Sequence, residues 1–220
     1  MARRLPNVLD RSDVAKLMAA PNIRCATGLR NRVALELMYR AGLRVGEVCN
    51  LTPRDIRWRS MEISVRHGKG DKDRVVPFGG DLLVWLERWR DRRPENAERF
   101  LCTLAGQPLA PRYLQQVIDR CARRAGLDPR SVTPHTLRHC FATECLEDGF
   151  TIREVQQLLG HANLQTTQIY THVRPAELGA KIRARSAQEA SKPSDTVSIP
   201  ADVLDAILAR LEALEANHGG

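Results

Sequence analysis

Four side chains with the chemistry to handle a phosphate ester lie within one short stretch of the chain. They are His135, Arg138, His161 and Tyr170. A planar guanidinium pairs with the non-bridging oxygens of a phosphodiester, whose negative charge grows during displacement, and Arg138 fits that role. A tyrosine hydroxyl has an ordinary pKa of about 10 and becomes a nucleophile at neutral pH only beside cations and a base. The set therefore favours phosphoryl transfer with Tyr170 as the nucleophile.

Two predicted helices position these residues relative to one another. His135 and Arg138 are three residues apart, so they share a face if their segment is helical. A second helix over residues 152–159 ends at Gly160, which leaves His161 on the turn that follows. The apolar side chains expected to pack this second helix are Ile152, Val155 and Leu159.

The same region resembles the C-terminal motifs of the tyrosine recombinases, the phage integrase family. The stretches that carry the resemblance are PHTLRH, LLGH and TTQIYTHV, and they are similar to those of Xer-type recombinases and integron integrases. The resemblance extends from Arg3 to about Arg185, with several separated motifs in matching order and spacing. It implies the catalytic-domain fold of that family, which is mainly α with a small antiparallel β-sheet (α+β).

A second candidate arginine lies in the stretch AGLRVGEVCNLTPRDI, which resembles the family's first arginine motif. The resemblance places Arg44 at a phosphate-binding position. Glu47 follows three residues later, so on a short helix its carboxylate would face Arg44 and fix the guanidinium. By itself an RxxE pair is a common solvated contact, and the neighbouring motifs give it weight.

A hairpin supplies the candidate general acid. Between residues 55 and 77 apolar residues alternate with polar ones, which predicts a small antiparallel sheet. Its turn, GKGDKD, carries Lys69 between two glycines, whose missing side chains let a loop approach a DNA backbone closely. In the family the hairpin lysine is the proposed general acid, and the resemblance assigns this role to Lys69. Lys72 is the nearby rival.

The resemblance implies a complete catalytic set for cutting and rejoining DNA strands. Its members are Arg44, Lys69, His135, Arg138, His161 and Tyr170, with Glu47 in support. The arginines would clamp the non-bridging oxygens and the histidines would assist, with His135 as the base. Tyr170 would attack phosphorus to give a 3′-phosphotyrosine, while the hairpin lysine protonates the leaving 5′ oxygen. Because the covalent intermediate keeps the bond energy, neither a metal nor ATP is required, and no cofactor is expected.

Three other interpretations stay open. His135 and His139 are four residues apart and would suit a metal pair, but no HExxH motif or carboxylate accompanies them. A type IB topoisomerase-like enzyme shares the tyrosine chemistry but relaxes DNA without exchanging partners, and the HxLRH and LGH sequences speak against it. A DNA-binding protein that has lost catalysis is opposed by the complete set of six catalytic positions.

The charge of the chain suits double-stranded DNA as the partner. The formal net charge is +8, but residues 193–220 hold five acids and one base, a net of −4, which leaves +12 on the rest. No apolar run approaches the about 20 residues of a membrane span, and the N-terminus lacks the apolar core of a signal peptide. We therefore expect a cytoplasmic protein with neither a membrane nor a small-molecule substrate as partner. The six cysteines form no CxxC pair, which predicts reduced and mostly buried thiols.

The expected domain organisation has three segments. Residues 1–190 form the catalytic domain, residues 191–198 a linker, and residues 199–217 an acidic amphipathic helix. Family members usually carry an N-terminal core-binding domain that closes around the other face of DNA. We expect it to be absent here, which predicts weaker DNA affinity. In the family the helix after the nucleophile docks into a neighbouring protomer, so a homo-oligomer, a tetramer on DNA, is expected.

Overall fold

The computed structural model describes residues 9–66, 73–160 and 175–189. Within these ranges the helices are α1 (Arg11–Ala19), α2 (Ala26–Arg40), α3 (Val45–Asn50), α4 (Gly80–Arg90), α5 (Pro111–Arg124), α6 (Pro134–Glu147), α7 (Ile152–Leu159) and α8 (Pro175–Glu189). The strands are β1 (Ile56–Arg57), β2 (Glu62–Val65) and β3 (Arg74–Pro77). The predicted fold class, mainly α with a small antiparallel sheet, is confirmed.

The two helices that carry the predicted site residues begin at side-chain caps. Thr133 accepts the backbone N–H of Thr136 at 3.1 Å, so α6 begins at Pro134, where the missing proline N–H needs no partner. The Thr151 side chain and Glu154 form a capping box at the start of α7, in which Glu154 accepts the Thr151 N–H at 2.7 Å. Gly160 ends α7 with a φ of 70°, a left-handed conformation that glycine adopts without strain.

Helix α2 forms the centre of the core. Ten of its 15 residues are buried, from Gly28 to Tyr39, which is typical of a helix surrounded by other elements. It packs against α1, α3, α4, α5 and α6. Helix α6 is the second interior helix, and its Leu137 and Phe141 are fully buried. Because α6 packs against both α2 and α7, the first arginine motif and the end of α7 are brought together around it.

The three strands form an antiparallel sheet in the order β1-β2-β3. Ile63 pairs with Val76 at its centre, and both side chains are fully buried. The ladder between β2 and β3 ends at the pair Val65 and Arg74, beside the hairpin turn. Strand β3 also packs against α7 and α8. The sheet therefore joins the hairpin to the helices that carry the site.

Helix α8 is anchored on the body of the same chain by apolar and charged contacts. Its apolar side chains Leu178 and Ile182 are buried. Arg185 forms ion pairs with Glu144 at 2.5 Å and with Asp148 at 2.8 Å, both at the C-terminal half of α6. This helix begins five residues after Tyr170, the predicted nucleophile.

One packing prediction for α7 is wrong. Ile152 is 45% exposed, and the buried apolar residues of this helix are Val155, Leu158 and Leu159. Ile152 is the first residue of the helix, where one side of the backbone still faces solvent because no preceding turn covers it.

The prediction of reduced and mostly buried cysteines agrees with the structure. All six cysteines are free thiols, and five are buried while Cys25 is exposed. Among the described helices, none has both the length and the apolar character needed to cross a membrane. The predicted linker 191–198 and helix 199–217 lie outside the described residues.

Candidate active site

Arg44 lies where the chain leaves α2 and begins α3. Gly42 has a left-handed φ of 60° there, and a Cβ at this position would lie 2.6 Å from the Phe141 ring, so only glycine fits. Arg44 directly precedes α3, and Glu47 accepts its backbone N–H at 2.8 Å. The same carboxylate accepts a hydrogen bond from Arg44 Nη1 at 3.1 Å. Glu47 therefore caps α3 and orients the Arg44 guanidinium, through the contact that the spacing predicted.

Arg138, buried on α6, ties this turn to the end of α7. Its guanidinium donates to the carbonyl oxygen of Gly42 and, at 2.7 Å, to that of Leu159. Gly42 lies two residues before Arg44. The two arginines predicted to bind phosphate are therefore brought to the same corner of the fold.

His135 lies on the first turn of α6 and is exposed. It precedes Arg138 by three residues on the same helix, so the two side chains share one face. An exposed imidazole at this position fits the role that the sequence predicts for His135.

A third guanidinium, which the sequence analysis did not single out, belongs to Arg74 at the start of β3. Its Nη1 and Nη2 donate to the two oxygens of Glu47 at 2.7 and 2.8 Å, and its Nε donates to the Leu158 carbonyl at 3.1 Å. The sequence did carry a signal for it. Arg74 alternates with Val76 and Phe78, which are fully buried, so a strand places this charge on the core-facing side where it needs a buried partner.

Glu47 is the carboxylate at the centre of these arginines. Burial raises the pKa of Glu47. The hydrogen bonds and charge of Arg74, the hydrogen bond from the Arg44 N–H and the charge of Arg138 lower the pKa by more than burial raises it, so the pKa falls from 4.5 to about 2. Glu47 is therefore ionised at neutral pH. We call the group of Arg44, Glu47, Arg74 and Arg138 the arginine cluster. With three guanidinium groups and one carboxylate it keeps an excess of two positive charges, which suits a phosphate anion.

The other predicted catalytic residues lie outside the described residues. They are Lys69, His161 and Tyr170, together with the rival Lys72. Two described residues lie next to these segments, and both are at the arginine cluster. Arg74 opens the strand after the hairpin turn. Gly160 directly precedes His161, and a Cβ there would lie 2.5 Å from Arg74 Cδ.

A basic surface lies elsewhere on the described part of the chain. Helix α5 exposes four arginines, which are Arg112, Arg120, Arg123 and Arg124. Within the described ranges, no three His, Cys, Asp or Glu side chains come together as a group that would hold a metal ion.

Comparisons with known sequences identify one family. The profile of the phage integrase family matches residues 7–177. The tyrosine recombinase XerD of Xanthomonas axonopodis pv. citri (strain 306) is 43% identical over 185 residues, which cover 79% of this chain and 60% of the relative. The tyrosine recombinase XerA of Pyrococcus horikoshii is 39% identical over 196 residues, covering 88% of this chain and 64% of the relative. The chain thus spans about three fifths of the length of these curated relatives.

Solved structures share the fold. The crystal structure of XerA recombinase matches with a TM-score of 0.66 at 30% identity, covering 87% of this chain and 68% of that one. The XerH site-specific recombinase, solved in a post-cleavage complex with a palindromic difH substrate, has a TM-score of 0.62 at 28% identity and covers 84% of this chain and 54% of its own. Together with the family profile over most of the sequence, these matches establish that this chain belongs to the phage integrase family.

Proposed function

We propose that this chain is the catalytic part of a site-specific DNA recombinase that cuts and rejoins strands through a 3′-phosphotyrosine intermediate. The observation that carries the proposal is the arginine cluster. Arg44 and Arg138 come from distant parts of the chain, and both are bonded to the short segment from Gly42 to Glu47. The relatives at about 40% identity are named tyrosine recombinases, which supports the same activity here.

The proposed cleavage step moves one proton at each end of the displacement. His135 takes the proton of the Tyr170 hydroxyl, the tyrosine oxygen bonds to phosphorus, and the bond from phosphorus to the 5′ oxygen breaks. Lys69 gives its proton to that oxygen, which leaves a free 5′ hydroxyl. Arg44 and Arg138 stabilise the negative charge that develops on the non-bridging oxygens.

The proposed joining step is the reverse reaction on a new partner. The 5′ hydroxyl of a second strand attacks the phosphotyrosine, and its proton passes to Lys69. The bond from phosphorus to Tyr170 breaks, and His135 returns a proton to the tyrosine oxygen. The phosphodiester count is unchanged at the end of the cycle, so neither ATP nor a metal enters the balance.

The proposed partner is double-stranded DNA, bound by a homotetramer in the cytoplasm. The exposed arginines of α5 and the +12 formal charge outside residues 193–220 favour a polyanion. A solved structure with the same fold, the Tn1549 transposon integrase, is in complex with a circular intermediate DNA, and XerH is bound to its palindromic difH substrate, which supports DNA as the partner of this chain.

The test is a covalent adduct on a suicide duplex that carries a nick beside a candidate recombination site. We expect the wild-type chain in EDTA to form a protein–DNA adduct on a denaturing gel, and Tyr170→Phe to form none. Tyr113→Phe is the matched control, because this tyrosine bonds only to protein groups, Arg30 at 2.5 Å and Asn31 at 3.2 Å, among those described. It should keep the adduct. A wild-type chain that binds the duplexes but forms no adduct would contradict the proposal.

A second duplex separates strand exchange from simple relaxation. We expect a labelled partner strand with a free 5′ hydroxyl to be joined to the cleaved strand, with loss of the covalent adduct. An enzyme that forms the adduct but rejoins only the original strand would be a topoisomerase-like nicking and closing activity instead.

A further inference from the structure

Arg74 lies where three segments with predicted catalytic residues meet. Its backbone closes the ladder between β2 and β3, at the base of the hairpin turn that contains Lys69. Its Nη atoms hold both oxygens of Glu47, the partner of Arg44. Its Nε holds the Leu158 carbonyl, three residues before His161. Arg74 thus belongs to the hairpin through its backbone, and its guanidinium is bonded to Glu47 of α3 and to the end of α7.

The exposure of Arg74 argues against a direct role on substrate. Its side chain is 10% exposed, compared with 21% for Arg44. Three of the five N–H groups of a guanidinium are used in the bonds to Glu47 and Leu158. The bidentate pair also restricts the plane of the guanidinium to that of the Glu47 carboxylate. Arg74 is thus placed to hold other side chains and not to bind phosphate itself.

Glu47 depends on Arg74 more than on Arg44. Arg74 donates to both carboxylate oxygens at 2.7 and 2.8 Å, whereas the Arg44 side chain donates to one at 3.1 Å. Without Arg74, the carboxylate would be buried with one side-chain bond and the N–H of Arg44. A less restrained Glu47 would no longer fix the Arg44 guanidinium.

Gly160 shows how closely Arg74 is fitted against the end of α7. A Cβ at Gly160 would lie 2.5 Å from Cδ and 2.8 Å from Nε of Arg74. The stem of Arg74 thus fills the space beside the turn that leads into His161, and the turn leaves room only because it has no side chain.

We propose that Arg74 is a positioning residue that aligns Arg44, through Glu47, with the hairpin of Lys69 and the turn before His161. The inference rests on the proposed recombinase function. It assigns Arg74 no contact with the scissile phosphate: its contribution is to place the groups that make those contacts.

The first test separates DNA binding from cleavage. We expect Arg74→Ala to slow single-turnover cleavage of the suicide duplex by roughly 10- to 100-fold at saturating protein, because small misplacements of catalytic groups cost about this much. DNA affinity should match that of Arg57→Ala, a variant that removes the same charge from an exposed ion pair of β1. Arg74→Lys should recover only part of the rate, since an ammonium cannot form the bidentate pair and the Nε bond together.

The second test asks whether Arg74 acts through Glu47. If it does, Arg74→Ala and Glu47→Gln are not additive, and the double variant cleaves within about threefold of the slower single variant. A merely structural role would make the two losses multiply. An Arg74→Ala variant that cleaves as fast as Arg57→Ala would overturn the inference outright.

The third test does not need cleavage, so it distinguishes a failure of this inference from a failure of the proposed function. The ¹³C signal of the Glu47 carboxyl is assigned from its loss in Glu47→Gln and followed between pH 3 and 7. The charged groups facing it are Arg44, which directly precedes α3, Arg74 from β3 and Arg138 from α6. In Arg74→Ala the pKa of Glu47 should rise, because burial then outweighs the remaining cations. An unchanged pKa would mean that Arg74 does not hold Glu47, whether or not the wild type forms an adduct.

An alanine substitution at Gly160 would displace Arg74 without removing its charge, and the same substitution at Gly126 is the control. Gly160 and Gly126 end α7 and α5 with φ of 70° and 74°, but a Cβ at Gly126 would meet nothing within 4 Å. Both alanine variants carry the same backbone strain. We expect only Gly160→Ala to slow cleavage, at least tenfold more than Gly126→Ala. Equal rates for the two variants would contradict the close fit that the inference requires.

Discussion

At the scale of single residues, the arginine cluster is organised by one acid. Glu47 caps α3 and accepts hydrogen bonds from Arg44 and Arg74. Three guanidinium groups in one corner would repel one another, and an ionised carboxylate among them reduces that repulsion. It also leaves an excess of positive charge for a substrate anion. Glu47 therefore holds Arg44 and Arg74 in their relative arrangement.

The depressed pKa of Glu47 predicts how stability depends on pH. Its folded pKa is lowered from 4.5 to about 2, so the stabilising contribution is fully present above about pH 4.5 and is lost as pH falls towards 2. We expect Glu47→Gln to lower the free energy of unfolding at pH 7 by about 2–4 kcal/mol, because it leaves a buried arginine without its carboxylate. The deficit relative to wild type should shrink by roughly 2 kcal/mol at pH 3. Urea unfolding at pH 7, 5 and 3 measures it.

The control for this prediction is Glu62→Gln. Glu62 pairs with Arg57 at 3.4 Å, and the two side chains are 28% and 55% exposed, so its loss should change stability by less than about 1 kcal/mol. If the curves for wild type and Glu47→Gln run parallel from pH 7 to 3, the carboxylate is not held in the ionised state as described.

The residues of the cluster differ in how far sequence could identify them. The contact between Arg44 and Glu47 follows from their i,i+3 spacing, which a short helix brings together. Arg74 is 27 residues from Glu47, and its position in a strand indicates only that it needs a buried partner. The identity of the acid that pairs with Arg74 depends on how β3 packs against α7 and on where α3 places Glu47, and both are tertiary properties.

At the scale of elements, α6 connects the arginine cluster to α8. Its N-terminal half carries His135 and Arg138. Glu144 in its C-terminal half and Asp148, the residue that follows the helix, pair with Arg185 of α8. Glu144 also accepts a hydrogen bond from the Tyr39 hydroxyl on α2 at 2.5 Å. These charges are largely shielded from water, so the docking of α8 depends on their being fully paired.

This network predicts that α8 has one critical residue. Arg185→Ala removes the cation that pairs with Glu144 and Asp148, whose side chains are 8% and 10% exposed, and should destabilise the protein by about 3–5 kcal/mol. Lys181→Ala is the matched control on the same helix, because its ion pair with Glu154 at 2.7 Å involves a lysine side chain that is 47% exposed. It should cost less than about 1 kcal/mol. Urea unfolding gives both values, and equal losses for the two variants would contradict the buried network.

Most helix boundaries are set by local sequence, whereas the way the helices dock depends on contacts between residues that are far apart in the chain. Thr133, Pro134 and Gly160 fix the ends of α6 and α7 through capping and backbone geometry, which is why sequence predicts these elements within a residue or two. The sequence also predicts a helix after the nucleophile. It does not reveal that Arg185 seats α8 on Glu144 and Asp148, because the partners are about 40 residues apart and no periodicity links them.

At the scale of the whole molecule, the charge is divided between a basic body and an acidic C-terminal segment. Residues 193–220 carry a net charge of −4, and the rest of the chain carries +12. These residues lie outside those that the structure describes, so the expectation for them rests on sequence. The segment combines leucines at helical spacing with acids, a pattern that favours either self-association or screening of the basic surface.

Deletion of residues 193–220 tests this expectation. If the acidic segment screens the DNA-binding surface, the shortened chain should bind duplex DNA roughly three- to tenfold more tightly at about 0.1 M salt, and the gain should diminish as salt rises. If the leucines mediate self-association, the deletion should instead lower the oligomeric state seen by sedimentation.

A second variant separates the two causes. It keeps the full length of the chain but has the five acids of residues 193–220 changed to the corresponding amides, so it loses the negative charge and keeps every leucine. Screening predicts that this variant binds DNA as tightly as the deletion, whereas self-association predicts that it keeps the wild-type oligomeric state. A deletion that changes neither DNA affinity nor oligomeric state would show that the segment does neither.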